Sequence, residues 1–338
     1  MTRWLAVIAL AAATSLLLPG CVARKSNSGL STAPAAVPLS ELSGLTLQVG
    51  DQKGGTESLL RAAGQLDNLP YRVAFSTFTS GPPQVEAATA GKIDFAITGN
   101  TPPIFGAASN AKIKVVSAYG GGGAGNRILV HADSPIKAVA DLRGKAVAVA
   151  KGSSSHANLL AQLDKAGLKA SDIKPVYLQP ADALSAFSQR RADAWAIWDP
   201  YTAQAEQQSP VRSIAEAQGV TNGDWLGVAS DQALADPKRN TALSDLLVRF
   251  DRAVQWARAH PQEWAQDYAA AVGLDPQVSA VAQGRSLRLP TELGDDVIAS
   301  EQRLADLFAA AGQLQSSPEF ADWVDRRFNE ALRPSLAS

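Results

Sequence analysis

Two stretches of this chain place small polar side chains where a strand hands over to a helix. Thr98-Gly99-Asn100-Thr101 follows an apolar run at 93–97 and precedes Pro102, and Gly152-Ser153-Ser154 with His156 follows another at 146–150. A helix amino terminus presents unpaired backbone N–H groups and the positive pole of the helix dipole. Hydroxyls gathered there suit a small oxyanion, which wants several neutral donors more than one full charge. The same residues also suit plain capping, with Asn100 or Thr101 as the N-cap. Gln52, after a strand at 45–49, can reach a ligand with its amide or serve as a turn residue in water. Trp198 and Asp199 end a strand at 193–198; the indole either packs on an organic tail or joins the core. Asp199, before Pro200, reads as an N-cap, or as the partner of a substrate ammonium or of an arginine that it orders. Lys53, Lys151 and Arg127 are weaker candidates, since surface cations usually face solvent.

Other chemistries find little support. The three histidines, His131, His156 and His260, are scattered with no H-E-x-x-H pattern, so neither a metal site nor a cofactor is expected. Gly120, Gly122 and Gly125 match a G-x-G-x-x-G spacing after a strand, yet 127–130 reads as strand where a dinucleotide site needs a helix. There is no Walker lysine, so ATP hydrolysis falls to a partner. A Ser154, His156 and Asp199 hydrolase triad fails because the serine and histidine are i, i+2 at a helix start and do not face each other.

The elements that must position these residues alternate. Strands are expected at 45–49, 71–75, 93–97, 115–119, 126–130, 146–150, 175–178 and 193–198, with helices at 57–65, 83–90, 102–108, 156–166 and 181–190 between them. The glycines at 120–125 mark a crossing to a second lobe, and 225–229 reads as the return. From Asp231 the pattern is helical, at 240–259, 261–272, 276–284 and 295–311. The fold class is α/β, with two mainly parallel sheets joined by two crossing segments and a ligand enclosed between the lobes. The expected division is 43–130 with 229–338 for lobe 1 and 131–228 for lobe 2.

Arg3 precedes an apolar run at 4–18, the order of a secretory signal at 1–20. The sequence Leu18-Pro19-Gly20-Cys21 resembles a bacterial lipoprotein processing site, which would make Cys21 a lipid anchor and 21–42 its tether. Cys21 is the chain's single cysteine, so no internal disulfide is expected and stability comes from packing. Loss of Arg3 leaves 30 basic against 32 acidic side chains with no basic block, which argues against nucleic acid.

On Gln52-Lys53, the 93–103 segment ending Thr-Pro-Pro, Asp133-Ser-Pro-Ile136, Lys151-Gly-Ser153 with His156, the 172–178 segment, Pro180-Ala-Asp182 and the 194–201 segment, the chain resembles the sulfonate, nitrate and taurine family of binding proteins. Within it the likeness is to alkanesulfonate-binding lipoproteins of bacterial ABC importers. The resemblance implies a two-lobed periplasmic-binding-protein fold of type II, capture of an aliphatic sulfonate in the cleft, and docking of a monomer on a membrane permease with a cytoplasmic ATPase. It implies an exported, anchored protein that is not an enzyme. Taurine, nitrate or another small oxyanion is the alternative ligand. Sulfinate desulfinases on this fold use a cysteine nucleophile, for which Cys21 is already committed. The chain departs from the alkanesulfonate pattern at Asp51, Ser154, Ala157 and the glycines at 120–125.

Overall fold

The computed structural model describes residues 32–53 and 55–336; the expected signal segment and Cys21 lie outside them. The first lobe opens with β1 (Thr46–Gln52), α1 (Gly55–Ala62), β2 (Arg72–Phe78), α2 (Gly81–Thr89), β3 (Phe95–Gly99), α3 (Thr101–Ala108) and β4 (Ile113–Gly120). The second holds β5 (Arg127–His131), β6 (Ala146–Val149), α4 (Ser154–Lys165), β7 (Lys174–Tyr177), α5 (Pro180–Ser188), β8 (Ala194–Ile197), α6 (Tyr201–Gln208) and β9 (Val211–Glu216). The chain returns as β10 (Trp225–Ser230), followed by α7 (Asp231–Ala235), α8 (Pro237–Ala259), α9 (Pro261–Val272), α10 (Pro276–Ser286), β11 (Leu289–Thr291), α11 (Asp295–Ala310) and α12 (Asn329–Leu336).

The strand order is β11-β4-β10-β3-β1-β2 in one sheet and β7-β6-β8-β5-β9 in the other. Both sheets are mixed, with most strands of each running in one direction and a minority against it. β1 runs parallel to β2 and β3, and β6 to β7 and β8. β10 is antiparallel to β3 and β4, and β5 to β8 and β9. The reason is topological: a strand arriving from the other lobe enters at the cleft edge, where the parallel strands end, and so runs against them. For the same reason the expected lobe boundaries shift. β5 belongs to the second sheet and β10 to the first, so the crossings are 121–126 and 217–224, and 225–229 is a central strand instead of a connection.

β1 also runs past its expected stop at Gly50, because glycine there is demanded by packing and not by a turn. A Cβ on Gly50 would lie 2.7 Å from Ile93 Cδ1 and 2.8 Å from Gln84 Oε1. Phe95, Ala96, Ile97 and Thr98 of β3 and all four residues of β8 are buried, as strands covered on both faces require. The tail packs on the first lobe through α8. Asp236 caps it by accepting from Arg239 N at 2.8 Å, and Leu243, Leu246, Leu247, Phe250 and Val254 recur at helical spacing against Leu47, Val49, Leu60 and Tyr119. Burying each of these large side chains contributes about 2 kcal/mol, enough to make the tail part of the lobe.

Candidate functional site

The strand ends of the two sheets meet at the cleft, and with them the starts of α3 and α4. A Cβ on Gly99 would stand 3.3 Å from both Cβ and Oγ of Ser154, so the two helix starts abut. Ser153 is the N-cap of α4: its Oγ accepts from His156 N at 3.4 Å and donates to Ala150 O at 2.6 Å. That leaves the first-turn N–H groups of α4 beside the cavity.

His156 faces away from it. Its Nδ1 accepts from Gly152 N at 3.2 Å, its ring packs among Phe105, Tyr177 and Phe308, and burial, helped by Lys151, lowers its pKa to about 4. The imidazole is thus a neutral brace for the turn. Gly152 takes φ +73° beneath Phe105, a conformation that favours glycine.

Asn100 stands at the N-cap of α3 but makes no side-chain capping bond, contrary to expectation. Its Nδ2 donates to Asn222 Oδ1 at 2.6 Å and its Oδ1 accepts from Thr101 Oγ1 at 2.9 Å. Asn222 in turn donates to Ser300 and to the fully buried Glu301, whose pKa burial raises well above the carboxylate range. The return crossing supplies this buried partner, so Asn100 ties the helix start to the hinge. Thr98 donates to Gly99 O at 3.0 Å.

The cavity between the lobes has a volume of about 140 Å³. Of the residues singled out by sequence, Gln52, Thr98, Gly99, Ser153, Ser154, Trp198 and Asp199 line it, while Asn100, Thr101, Gly152 and His156 are not on its wall. Trp225, Tyr201, Phe250, Trp264 and Tyr268 supply apolar walls, and Asn126, Lys53, Asp224 and Arg288 supply polar ones. Lys53 Nζ stands 5.1 Å from the centre of the Tyr201 ring, a cation on an aromatic face across the cleft. Arg127 instead pairs with Glu206 at 2.9 Å and Glu216 at 3.5 Å. Asp51 caps α1 by accepting from Thr56 N at 2.7 Å and is not on the cavity wall.

Asp199 orders an arginine, one of its expected roles, while the N-cap position of α6 falls to Pro200 instead. It accepts from Ala203 N in the first turn of α6 at 3.0 Å, and it holds Arg285 in a fork, with Nε to Oδ2 at 3.0 Å and Nη2 to Oδ1 at 2.9 Å. Arg285 also reaches Glu206 at 3.0 Å, so α10 of the first lobe is clamped to β8 and α6 of the second. Burial pushes the Asp199 carboxyl up to about 6 against the pull of Arg285.

Arg288 is a different case. Its side chain is buried at 7% exposure, its Cζ lies 4.9 Å from the centre of the Trp225 ring, and Trp225 pairs with Gly99 in the sheet. Nε donates to Gly223 O at 2.9 Å and Nη1 to Ser286 O, but no carboxylate among the described residues is within ion-pair distance. Burial lowers its pKa only to about 10, with Asp199 and Asp224 opposing, so it stays charged. Sequence reasoning missed Arg285 and Arg288, which lie in a helical tail far along the chain. One signal did bear on Arg288, namely the glycine at 122 in the crossing, where a Cβ would sit 2.6 Å from Arg288 Cζ.

The fold and sequence that build this cavity are similar to those of known proteins. The NMT1/THI5-like family model matches residues 79–264. This chain belongs to that family. An aliphatic sulfonates-binding protein of Escherichia coli K12 is 37% identical over 287 residues, covering 83% of this chain and 88% of that protein. Among solved structures, the E. coli periplasmic aliphatic sulphonate binding protein SsuA is similar at TM-score 0.72 and 34% identity, over 83% of this chain and 92% of that one. The alkanesulfonate-binding protein SsuA of Xanthomonas axonopodis pv. citri, bound to MOPS, matches at TM-score 0.75 and 32% identity, over 86% and 100%. The NMT1/THI5-like chain therefore has the periplasmic-binding-protein fold and the family membership expected from its sequence.

Proposed function

We propose that this protein is the solute-binding component of an ABC importer, that it captures an aliphatic sulfonate between its lobes, and that it delivers the closed form to a permease with a cytoplasmic ATPase. The observation that carries the reading is Arg288, a buried cation with no carboxylate partner among the described residues, in an aromatic cavity. A sulfonate head supplies the missing charge, and the start of α4 at Ser153 and Ser154, with Asn126, offers neutral donors around it. The organic tail then lies along Trp198, Trp225 and Trp264. Relatives and solved neighbours named for sulfonate binding support the ligand class.

Binding without chemistry is part of the proposal. Among the described residues no cluster of metal-ligating side chains occurs, and Ser154 and His156 share no hydrogen bond because the imidazole is spent on Gly152. We further propose export by the 1–20 segment and anchoring through Cys21, as a monomer; among the described residues no helix is long and apolar enough to cross a membrane. Thermal shift and calorimetry with methane-, ethane- and longer alkanesulfonates, taurine, nitrate and bicarbonate test the ligand. At ligand well above Kd, the linkage gain of about 3 kcal/mol raises Tm by roughly 5 °C. Stabilisation by nitrate or bicarbonate alone, with no response to any sulfonate, would refute the assignment. Loss of palmitate labelling in Cys21→Ala tests the anchor.

A further inference from the structure

The return crossing is pinned by a hydrogen-bond hub that lies off the cavity wall. Asn222 uses every donor and acceptor of its side-chain amide. Its Oδ1 accepts from Asn100 Nδ2 at 2.6 Å and from Asp224 N at 3.3 Å, and its Nδ2 donates to Ser300 Oγ at 2.8 Å and to Glu301 Oε1 at 2.6 Å. The network runs in one direction: Thr101 donates to Asn100, Asn100 to Asn222, Asn222 to α11, and Ser300 onward to Val297 O at 3.0 Å. A flipped Asn222 amide would set its NH2 against the Asn100 NH2 and the Asp224 N–H, so both ends hold it. Glu301 is the costly member. It is fully buried, and its Oε2 has no hydrogen-bond partner among the described residues. An apolar side chain would pack there at less cost, so stability does not account for a carboxyl at this place. Burial keeps it a neutral acid, which accepts from Asn222 through Oε1.

The next residue joins this hub to the cavity. Gly223 takes φ +68°, a Cβ on it would lie 2.4 Å from Gly122 O, and its carbonyl accepts from Arg288 Nε at 2.9 Å. With Nη1 given to Ser286 O, Nη2 is the part of the guanidinium left without a partner among the described residues. The direction of Nη2 thus depends on where the 222–224 backbone is held, and Asn222 ties that backbone to α3 and α11 together. Resting on the sulfonate reading above, we propose that Asn222 is the positioning residue for Arg288, and that Glu301 orients the Asn222 amide so that the Gly223 carbonyl aims the guanidinium at the ligand.

Calorimetry with ethanesulfonate tests this, beside thermal unfolding of each variant. Asn222→Leu and Glu301→Leu should each bind about tenfold more weakly, the yield of one misaligned hydrogen bond. Glu301→Leu is the milder cut, since it leaves Asn100 and Asp224 their acceptor, and it reads the same quantity if Asn222→Leu does not fold. Glu301→Gln keeps a neutral acceptor and should stay within about twofold of the unmodified protein. Arg288→Lys keeps the charge but loses the bond to Gly223, so in that background Glu301→Leu should cost less than about threefold. A merely structural Glu301 would lower the unfolding temperature and leave affinity alone, and that result overturns the proposal. So does a Glu301→Gln variant as weak as Glu301→Leu, or a tenfold loss that persists beside Arg288→Lys. Failure of the unmodified protein to bind any sulfonate overturns the underlying reading instead, so the two failures are distinct.

Discussion

The interlobe clamp around Arg285 sets a measurable limit on closure. Arg285→Ala removes two hydrogen bonds to Asp199, whose side chain is 1% exposed, and one to Glu206, which is 28% exposed. The Glu206 contact is part-solvated and shared with Arg127, so it contributes less than about 1 kcal/mol. The Asp199 fork dominates, because removing one partner of a buried pair strands the other charge at a cost of about 3–5 kcal/mol. That cost falls on the closed form, since opening would return Asp199 to water. Part of it is recovered by protonating Asp199, whose pKa burial has already raised to about 6. About 2–3 kcal/mol then remains at neutral pH, or a loss of roughly 30- to 150-fold in ligand affinity if closure is coupled to binding. Calorimetry reads the affinity, and small-angle scattering reads the radius of gyration without ligand, which should rise as the lobes part. Arg285→Lys keeps the charge but not the fork and should fall between the two. Unchanged affinity together with an unchanged radius would refute the clamp, and so would a lysine variant as defective as the alanine one.

Three further outcomes follow from individual contacts. Gly122→Ala puts a Cβ 2.6 Å from the Arg288 Cζ, a group already held by Gly223 O and Trp225, so sulfonate affinity should fall about tenfold with a stability change below about 1 kcal/mol; wild-type affinity by calorimetry would contradict this. Gly99→Val fills the 3.3 Å approach to Ser154 and should hold the lobes apart, lowering affinity at least about tenfold and expanding the particle in scattering. His156 should make its own pH signature. Its folded pKa of about 4 lies below the unfolded 6.5, so its contribution is present above pH 6.5 and is lost as pH falls through about 4. Denaturant titration of wild type and His156→Gln should therefore show the wild-type advantage shrinking by about 3 kcal/mol over that window. Taking the difference is necessary because Asp199, Asp224 and Asp251, raised by burial to about 6, act with the opposite sign. Parallel curves for the two proteins would exclude the assignment.

Most of the strands and helices could be read from local pattern. The apolar runs ending at Ile97 and Trp198, the small residues after them and the prolines that open the next helices are signals a few residues long, and the structure forms elements there. Where a strand lies in space was harder to read. β10 and β5 carry the same apolar pattern as their neighbours, and only their pairing partners assign them to a sheet. The cavity was half legible. Ser154, Gly99 and Trp198 sit where strand ends must put them, but Asn100 was expected to cap and instead bonds Asn222, 122 residues away.

The chain's own pattern determined that two α/β lobes form, that two crossings join them and that helix starts crowd one cleft, because periodicity, glycine, proline and capping act between residues close in sequence. Tertiary structure alone decided the charges of that cleft. Arg285 meets Asp199 from 86 residues away, and Arg288 lies against Gly122 from the middle of the tail. Ionic contacts depend on distance and burial, and the order of residues along a chain specifies neither until the lobes and tail have packed together.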